Sequence, residues 1–234
     1  MNVVTRFNPT TNGNLHLGHV FTILVNEYFA HNVDGIFIIR FDDTSPPAEV
    51  LPKDRVQGII YSQKENIQWL EVEVDAWQTQ SVIMQDVYKE LKNFGYNNIP
   101  ENRYHHYLPI FIRLGMTYIP YPYAPQQIAE RVVMDHMIGV THLIRGEDFV
   151  TEYSLYRYFC YLFDYKPPEF IFLPRLMSAT GDISKTNGGY TLAELRGMGY
   201  TAKDVKSILE NAVLYYPNNG WELYNLRSNP RINL

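Results

Sequence analysis

Two histidines, His16 and His19, flank Gly18 at the start of a segment with helical periodicity. They follow a short apolar run, residues 2–7, and a turn-rich stretch, residues 8–14. Phosphates bind where a strand turns into a helix, because the first N–H groups of a helix are unpaired and partly positive. Imidazoles three residues apart lie on one side of that helix, and both can donate to phosphate oxygens. The pattern predicts a phosphate site; its alternative is a pair of surface histidines at a helix start.

The elements around this turn predict how it is positioned. Residues 15–30 have apolar side chains at helical spacing, and residues 36–41 are typical of a buried strand. With the first apolar run they predict a βαβ unit with a right-handed crossover. Strands and helices continue to alternate, with helices at residues 53–70, 82–94, 126–138, 154–163, 191–195 and 202–215 and strands at residues 140–145 and 170–173. This alternation predicts an α/β fold with a doubly wound parallel sheet.

The composition excludes several classes of protein. With 234 residues, 46% of them hydrophobic, the chain can bury a sizeable core, which excludes disordered and fibrous classes. Its single cysteine, Cys160, excludes an internal disulfide framework and a cysteine-rich zinc site. No apolar run approaches the roughly 20 residues that cross a bilayer, so we expect no membrane partner and a cytoplasmic location. The net charge of −5 does not indicate a polyanion partner.

Two common nucleotide motifs and a metal site are not predicted. The chain has neither a G-x-G-x-x-G pattern nor a Walker A pattern, so dinucleotide oxidoreductases and P-loop NTPases have no support. The adjacent His105 and His106 lack a third spaced ligand, which favours a surface loop over a metal site. We therefore predict no metal ligands in this chain.

Four blocks of the sequence, in the same order, resemble those of glutamyl-tRNA synthetases. Residues 6–19, RFNPTTNGNLHLGH, are similar to the family's opening pattern R-F-x-P-[ST]-x-x-G-x-L-H-[IL]-G-H, a HIGH-type motif. Residues 37–44, FIIRFDDT, resemble its F-I-L-R-I-E-D-T block, and residues 139–148, GVTHLIRGED, resemble G-V-T-H-V-I-R-G-E-[DE]. Residues 183–186, ISKT, and residues 190–196, YTLAELR, resemble the KMSKS loop and the helix after it. Four ordered blocks are far more specific than any single motif.

The resemblance implies a Rossmann-like class I catalytic domain that uses ATP and Mg²⁺ to convert an amino acid into its aminoacyl-adenylate. Lys185 would stabilise charge on the pyrophosphate while the α-phosphate is attacked, and His16 and His19 would hold the phosphates. Such chemistry depends on positioning and charge stabilisation and needs no general base. The other residues implied to contact ATP are Gly18, Asp148 and Ser184.

The same resemblance implies an amino-acid pocket. Asp42 would take the family's glutamate role of binding the substrate ammonium, with Thr10 beside it. Arg6 and Arg145 would bind carboxylate groups, for which the planar guanidinium is well suited. The alternative for Arg145 is a salt bridge to one of the two acidic residues that follow within three positions.

The pocket departs from the family pattern at residues 125–131, where P-x-Y-x-x-A-N becomes PQQIAER. Gln127 replaces the tyrosine and Arg131 replaces the asparagine, and residues four apart share one helix face. The extra arginine favours an additional negative charge or a longer acidic substrate. Its alternative is neutralisation by Glu130 or another neighbour. We therefore expect glutamate or an acidic analogue as the amino acid.

Two further departures concern the loop and the chain length. Asp182 stands about where the first lysine of the loop motif belongs, and a carboxylate near a triphosphate costs about 1 kcal/mol or more, so we expect slower activation. The family's tRNA-gripping insertion is reduced to residues 95–125. We predict a catalytic domain over residues 1–200, followed by a C-terminal helix and tail over residues 201–234. The tail resembles the start of a stem-contact region, and we expect no anticodon recognition.

These features predict a truncated glutamyl-tRNA synthetase-like ligase whose acyl acceptor is open. The family favours tRNA, or a modified nucleoside in it, whereas the net charge of −5 and the reduced insertion favour a small molecule or a carrier protein. One alternative is a small-molecule adenylyltransferase, which shares the strand–turn–helix at the histidines. The other is a catalytically degenerate binding or regulatory subunit, for which Asp182 is the main argument.

Overall fold

The computed structural model describes residues 2–44, 51–95, 125–178, 181–182 and 190–218. Within these residues, five strands form one parallel sheet in the order β3–β2–β1–β4–β5. The strands are β1 (Val4–Phe7), β2 (Ile36–Phe41), β3 (Ala76–Thr79), β4 (His142–Gly146) and β5 (Glu169–Leu173). Two short strands, β6 (Met177–Ser178) and β7 (Gly181–Asp182), form a separate antiparallel pair. The predicted α/β fold with a parallel sheet is confirmed.

Helices cover both faces of the five-stranded sheet. They are α1 (Leu17–His31), α2 (Lys53–Trp69), α3 (Gln80–Asn93), α4 (Pro125–Met137), α5 (Tyr153–Leu162), α6 (Leu192–Gly197) and α7 (Ala202–Asn218), with a 3₁₀ helix at Glu147–Glu152. One buried apolar cluster joins α1, α2, α6 and α7, and a second joins α3, α4 and α5. Since each helix set covers one face, the sheet is doubly wound as predicted.

The strand order opens a crevice at the centre of the sheet. From β1 the chain winds outward through β2 to β3, and it then crosses to β4 and β5 on the other side of β1. Such a reversal leaves a gap at the carboxyl ends of the two central strands, where open α/β sheets bind ligands. The gap lies between β1 and β4, and α1 begins beside it after the turn that follows β1.

The central and edge strands differ in how well the sequence predicts them. β2 reads IFIIRF and is buried at every position except the first, as a central parallel strand should be. β3 reads AWQT and has four half-buried residues, so it has neither an apolar run nor an alternating pattern and is not predicted. Its start is held by Asp75, whose carboxylate accepts the N–H of Phe37 at 2.7 Å. The register of β3 therefore depends on a contact to β2 rather than on its own sequence.

The periphery of the sheet is described only in part. The predicted insertion, residues 95–125, lies outside the described residues except for its two ends. α7 packs against α1, and its Val205 and Leu209 are buried in the same cluster as the central strands. In the ranges that the structure describes, we find no helix that combines the length and apolar character needed to cross a bilayer.

Candidate functional site

A cleft of about 410 Å³ lies at the carboxyl ends of β1 and β4. The predicted site residues that line it are Arg6, Thr10, His16, Gly18, His19, Asp42, Arg131, Arg145 and Asp148. A larger cavity of about 1020 Å³ runs from the amino ends of β4 and β5 along α5 and has a mainly apolar lining. The described lining of that larger cavity includes none of the predicted residues. The smaller cleft is therefore the candidate site.

The turn between β1 and α1 is held in place by α2 and by the end of β2. The buried side chain of Gln63 donates through Nε2 to the carbonyl oxygens of Thr10, at 3.0 Å, and Gly13, at 2.7 Å. The hydroxyl of Thr11 donates to the carbonyl oxygen of Asp42 at 3.2 Å. The two bonds from Gln63 satisfy carbonyl oxygens of the turn. They also fix where α1 begins relative to the cleft.

The two histidines cap α1 and stack on one another. Nδ1 of His16 accepts the N–H of Gly18 at 3.1 Å, and Nδ1 of His19 accepts the N–H of His16 at 3.3 Å. The ring centroids are 3.7 Å apart with an interplanar angle of 30°. Because each Nδ1 accepts a hydrogen bond, the proton of each neutral ring is on Nε2. A side chain at position 18 would crowd this pair, since a Cβ there would lie 3.0 Å from Cε1 of His16.

Arg6 is held at the floor of the cleft by Asp135 of α4. Its Nε and Nη2 donate to the two carboxylate oxygens of Asp135 at 2.8 and 2.7 Å. Arg40 donates to the same carboxylate at 2.8 Å, and the hydroxyl of Tyr156 donates to it at 2.9 Å. Burial disfavours the charged carboxylate, yet the Arg6 and Arg40 guanidinium groups hold the pKa of Asp135 well below its usual range. The carboxylate therefore stays charged and orients both arginines.

Asn8 connects Arg6, the predicted carboxylate-binding residue, to Asp42, the predicted ammonium-binding residue. The Oδ1 atom of Asn8 accepts a hydrogen bond from Nη1 of Arg6, and its Nδ2 donates to Oδ2 of Asp42 at 2.6 Å. The other oxygen of Asp42 accepts from Nε of Arg40 at 3.3 Å. Thr10 pairs with Asp42 through a backbone bridge, and its hydroxyl donates to Asn12 at 3.0 Å. Thr10 thus lies beside Asp42, as the resemblance implies.

Arg131 and Arg145 share one buried carboxylate. Nη1 of Arg131 lies 2.7 Å from Oε2 of Glu152, and Nη1 of Arg145 lies 3.0 Å from the same oxygen. The three side chains are 6%, 8% and 3% exposed. The second oxygen of Glu152 is buried and has no hydrogen-bond partner among the described residues. The salt bridge of Arg145 is therefore made to Glu152, on the far end of the 3₁₀ helix, and the guanidinium still lines the cleft.

Arg145 is buried, and a second arginine lies beside it. Burial and the neighbouring Arg131 lower the pKa of Arg145 more than Glu152 raises it, and the pKa is about 10. Its guanidinium also lies 3.6 Å from the ring centroid of Phe149, in a cation–π contact. An anion in the cleft would stabilise the buried guanidinium, because a second negative charge beside it favours its charged form.

The remaining predicted residues are placed less centrally. Gln127 lies one turn before Arg131 on α4, half-buried and outside the described lining of the cleft. Asp148 is exposed at the rim, and its carboxylate lies where a Cβ of Gly146 would be. Ser184 and Lys185 lie outside the described residues.

Thr191 and Leu192, which follow Ser184 and Lys185 in the chain, are hydrogen-bonded to the start of α1. The backbone of Thr191 forms a bridge with His16, and the N–H of Leu192 donates to the carbonyl oxygen of Leu15 at 2.9 Å. A capping box between Thr191 and Glu194 begins α6 at this point. The described chain that follows residues 183–189 therefore begins next to the histidines.

The site also contains residues that are not predicted from the sequence, among them Asn8, Asp135 and Glu152. Asn8 stands at a variable position of the opening motif, and nothing in its type marks it. Asp135 has a usable signal, since a carboxylate inside the apolar stretch of α4 must find a partner or pay for its desolvation. Glu152 lacks such a signal because it follows two other acidic residues in a short polar segment. Among the described residues, no group of three His, Cys, Asp or Glu side chains could hold a metal ion.

The sequence profile of a known family matches more than half of the chain. The profile, described as "tRNA synthetases class I (E and Q), catalytic domain", matches residues 2–128. A glutamate–tRNA ligase of Methanothermobacter thermautotrophicus is 26% identical over 258 aligned residues, which cover 83% of this chain and 44% of the relative. Glutamate–tRNA ligase 2 of Neorickettsia sennetsu is 27% identical, over 85% of this chain and 53% of the relative. The chain spans about half the length of these relatives.

Solved structures agree on the fold. A glutamate tRNA ligase from Elizabethkingia meningosepticum, solved in complex with its amino acid, superposes with a TM-score of 0.60 at 17% identity. The superposition covers 86% of this chain and 54% of that one. At this level of identity the likeness concerns the architecture of the sheet and its helices.

Proposed function

Since the chain belongs to the family of class I tRNA synthetases for glutamate and glutamine, as its motifs predict, we propose that it activates glutamate or a similar acidic amino acid with ATP. The observation that carries the proposal is one cleft lined by both the His16–His19 cap and the Arg131–Arg145 pair. The first can bind phosphates and the second can bind a carboxylate. A cytoplasmic location is part of the same proposal.

The ATP end of the cleft is the start of α1. The Nε2–H groups of His16 and His19, at the positive end of α1, are donors suited to phosphate oxygens. ATP enters as a substrate with its Mg²⁺, and the donors named here fit its phosphates. Lys185 adds a positive charge for the departing pyrophosphate in this proposal. The bridge between Thr191 and His16 supports a role for its loop at the same site.

The amino-acid end of the cleft is formed by Asp42 and Arg145. Asp42 offers a carboxylate to the substrate ammonium, and the buried guanidinium of Arg145, beside a second arginine, suits an acidic side chain. An oxygen of the substrate α-carboxylate then attacks the α-phosphorus of ATP. The bond from that phosphorus to the bridging oxygen breaks, and pyrophosphate leaves with the bonding electrons. The protein supplies orientation and charge stabilisation, which suffice for phosphoryl chemistry of this kind.

A stable analogue of glutamyl-adenylate tests whether one cleft binds both parts. At a concentration about 100 times its Kd, a ligand that binds only the folded state adds about 2.7 kcal/mol of stability. For a chain of this length we expect the Tm to rise by about 5–10 °C. The matched controls are the aspartyl and phenylalanyl analogues, for which we expect a smaller rise or none. A Tm unchanged by every analogue would contradict the proposal.

The acyl acceptor is the second part of the proposal. Relatives named glutamate–tRNA ligases favour tRNA, whereas the net charge of −5 favours a small molecule or a carrier protein. Binding of tRNA measured over a range of salt concentrations separates the two, because the log–log slope reports the number of phosphate contacts. A slope of several units supports tRNA, and a slope near zero supports the other acceptors.

A further inference from the structure

The shared carboxylate of Glu152 joins three separate elements beneath the cleft. Arg131 comes from α4, Arg145 from β4 and Glu152 from the end of the 3₁₀ helix. Both guanidinium groups contact the same oxygen, at 2.7 and 3.0 Å, and all three side chains are more than nine-tenths buried. Two like charges at such short range repel strongly where water is excluded. Glu152 is therefore the group that allows the two arginines to lie side by side.

Glu152 acts on the cleft through the arginines. The described lining of the cleft includes Arg131 and Arg145 but not Glu152. A change at Glu152 thus alters the charge and orientation of the lining without removing a group that meets the substrate. Glutamine at this position keeps the shape of the glutamate and removes its charge, so shape and charge are separable by substitution.

The charges that act on Arg145 also indicate which arginine is available to bind a ligand. Arg131 lowers the pKa of Arg145 and Glu152 raises it. The positive charge of Arg6 lowers it further, by a smaller amount. Arg6 itself is engaged by Asp135 through two hydrogen bonds. When Arg131 and Glu152 offset one another, the positive charge left for a ligand in the cleft is that of Arg145.

We propose that Arg131 and Glu152 are a charge-compensating pair that makes the site specific for an amino-acid side chain with a single negative charge. Glu152 is a positioning residue in this scheme, and Arg145 is the group that meets the side chain. The proposal rests on the proposed function and deepens it. It also decides between the two sequence-based interpretations of Arg131 in favour of neutralisation, with Glu152 as the neutralising neighbour.

The test is a series of variants that changes the charge of the cluster in single steps. Arg131→Gln removes one positive charge, Glu152→Gln removes one negative charge, and the double variant restores the total of the original chain. Each protein is assayed by amino-acid-dependent exchange of pyrophosphate into ATP with glutamine, glutamate and γ-carboxyglutamate. These three side chains carry zero, one and two negative charges on similar frames. Glu147→Gln, on the same 3₁₀ helix and about half exposed, is the matched control.

The expected results are changes in preference between substrates. Arg131→Gln should raise kcat/KM for glutamine relative to glutamate by about tenfold or more, and Glu152→Gln should do the same for γ-carboxyglutamate relative to glutamate. The double variant should return to a preference for glutamate, and Glu147→Gln should keep it throughout. The changes should appear mainly in KM, because the cluster binds the side chain rather than the reacting atoms.

Three outcomes overturn the inference. A uniform fall in kcat/KM for all three substrates, with a double variant no better than the single ones, would show that the cluster is merely structural. If Glu152→Gln does not fold, Arg131→Gln decides alone, and a ratio of glutamine to glutamate that does not move refutes the pair. An unaltered chain that uses glutamate and γ-carboxyglutamate equally also refutes it. By contrast, an unaltered chain that supports no exchange with any amino acid contradicts the proposed function itself.

Discussion

Replacing Asp135 by asparagine is expected to lower the free energy of unfolding by about 3–5 kcal/mol, because it leaves two buried arginines without their shared carboxylate. Arg6 and Arg40 are at most 1% exposed, and each contacts Asp135 at 2.8 Å or less. Water cannot reach the guanidinium groups to replace the lost charge. Denaturant unfolding at neutral pH measures the effect, which is a large part of the stability of an ordinary domain.

The matched control for this variant is Asp86→Asn, at an exposed position of α3, for which we expect a change within about 0.5 kcal/mol. The pH dependence gives a second readout. The folded pKa of Asp135 lies below the unfolded value of about 3.9, so its contribution is present above pH 4 and is lost as the pH falls below that. The difference between the original chain and Asp135→Asn should therefore shrink below pH 4. A variant as stable as the control at pH 7 would contradict the assigned network.

Lys185→Ala is expected to lower the rate of amino-acid activation by about 30- to 1000-fold. This corresponds to a transition state that is about 2–4 kcal/mol higher in free energy. The physical reason is the loss of the positive charge that, in the proposed function, stabilises the departing pyrophosphate. Because the change affects the transition state more than the bound substrates, we expect kcat to fall while the KM for ATP changes little. Exchange of pyrophosphate into ATP under saturating amino acid measures it.

Lys89→Ala is the matched control for this second prediction, since Lys89 is an exposed lysine of α3 away from the cleft. The control should retain the full exchange rate. Equal rates for the two variants would remove Lys185 from the site. In that case the histidine cap of α1 would be the remaining group that acts on the phosphates.

Local signals predict the part of the site that depends on local structure. The strand, turn and helix at residues 4–31 are predictable because the apolar run, the turn residues and the helical period are contiguous in sequence. The positions of His16, Gly18 and His19 at the start of α1 follow from that unit alone. The family resemblance adds Arg6, Asp42 and Arg145, and the structure brings all three to the same cleft.

Long-range partners explain what the sequence does not predict. Asp135 pairs with residues that are 129 and 95 positions away, and no local pattern links them. The partner of Arg145 is only seven positions away, but the 3₁₀ helix turns Glu152 inward while the nearer Glu147 and Asp148 stay exposed. β3 is missed because an edge strand with half-buried residues has no hydrophobic signature. In each case the decisive contact forms only once the sheet is assembled.

Amino-acid-dependent exchange of pyrophosphate into ATP tests most directly whether the protein transfers the adenylyl group of ATP to an acidic amino acid. The assay compares the twenty amino acids and acidic analogues, with and without added tRNA. We expect exchange that depends on glutamate or a singly charged analogue of it and that is weak or absent with neutral and basic amino acids. Exchange with none of them, even when tRNA is present, would contradict the account.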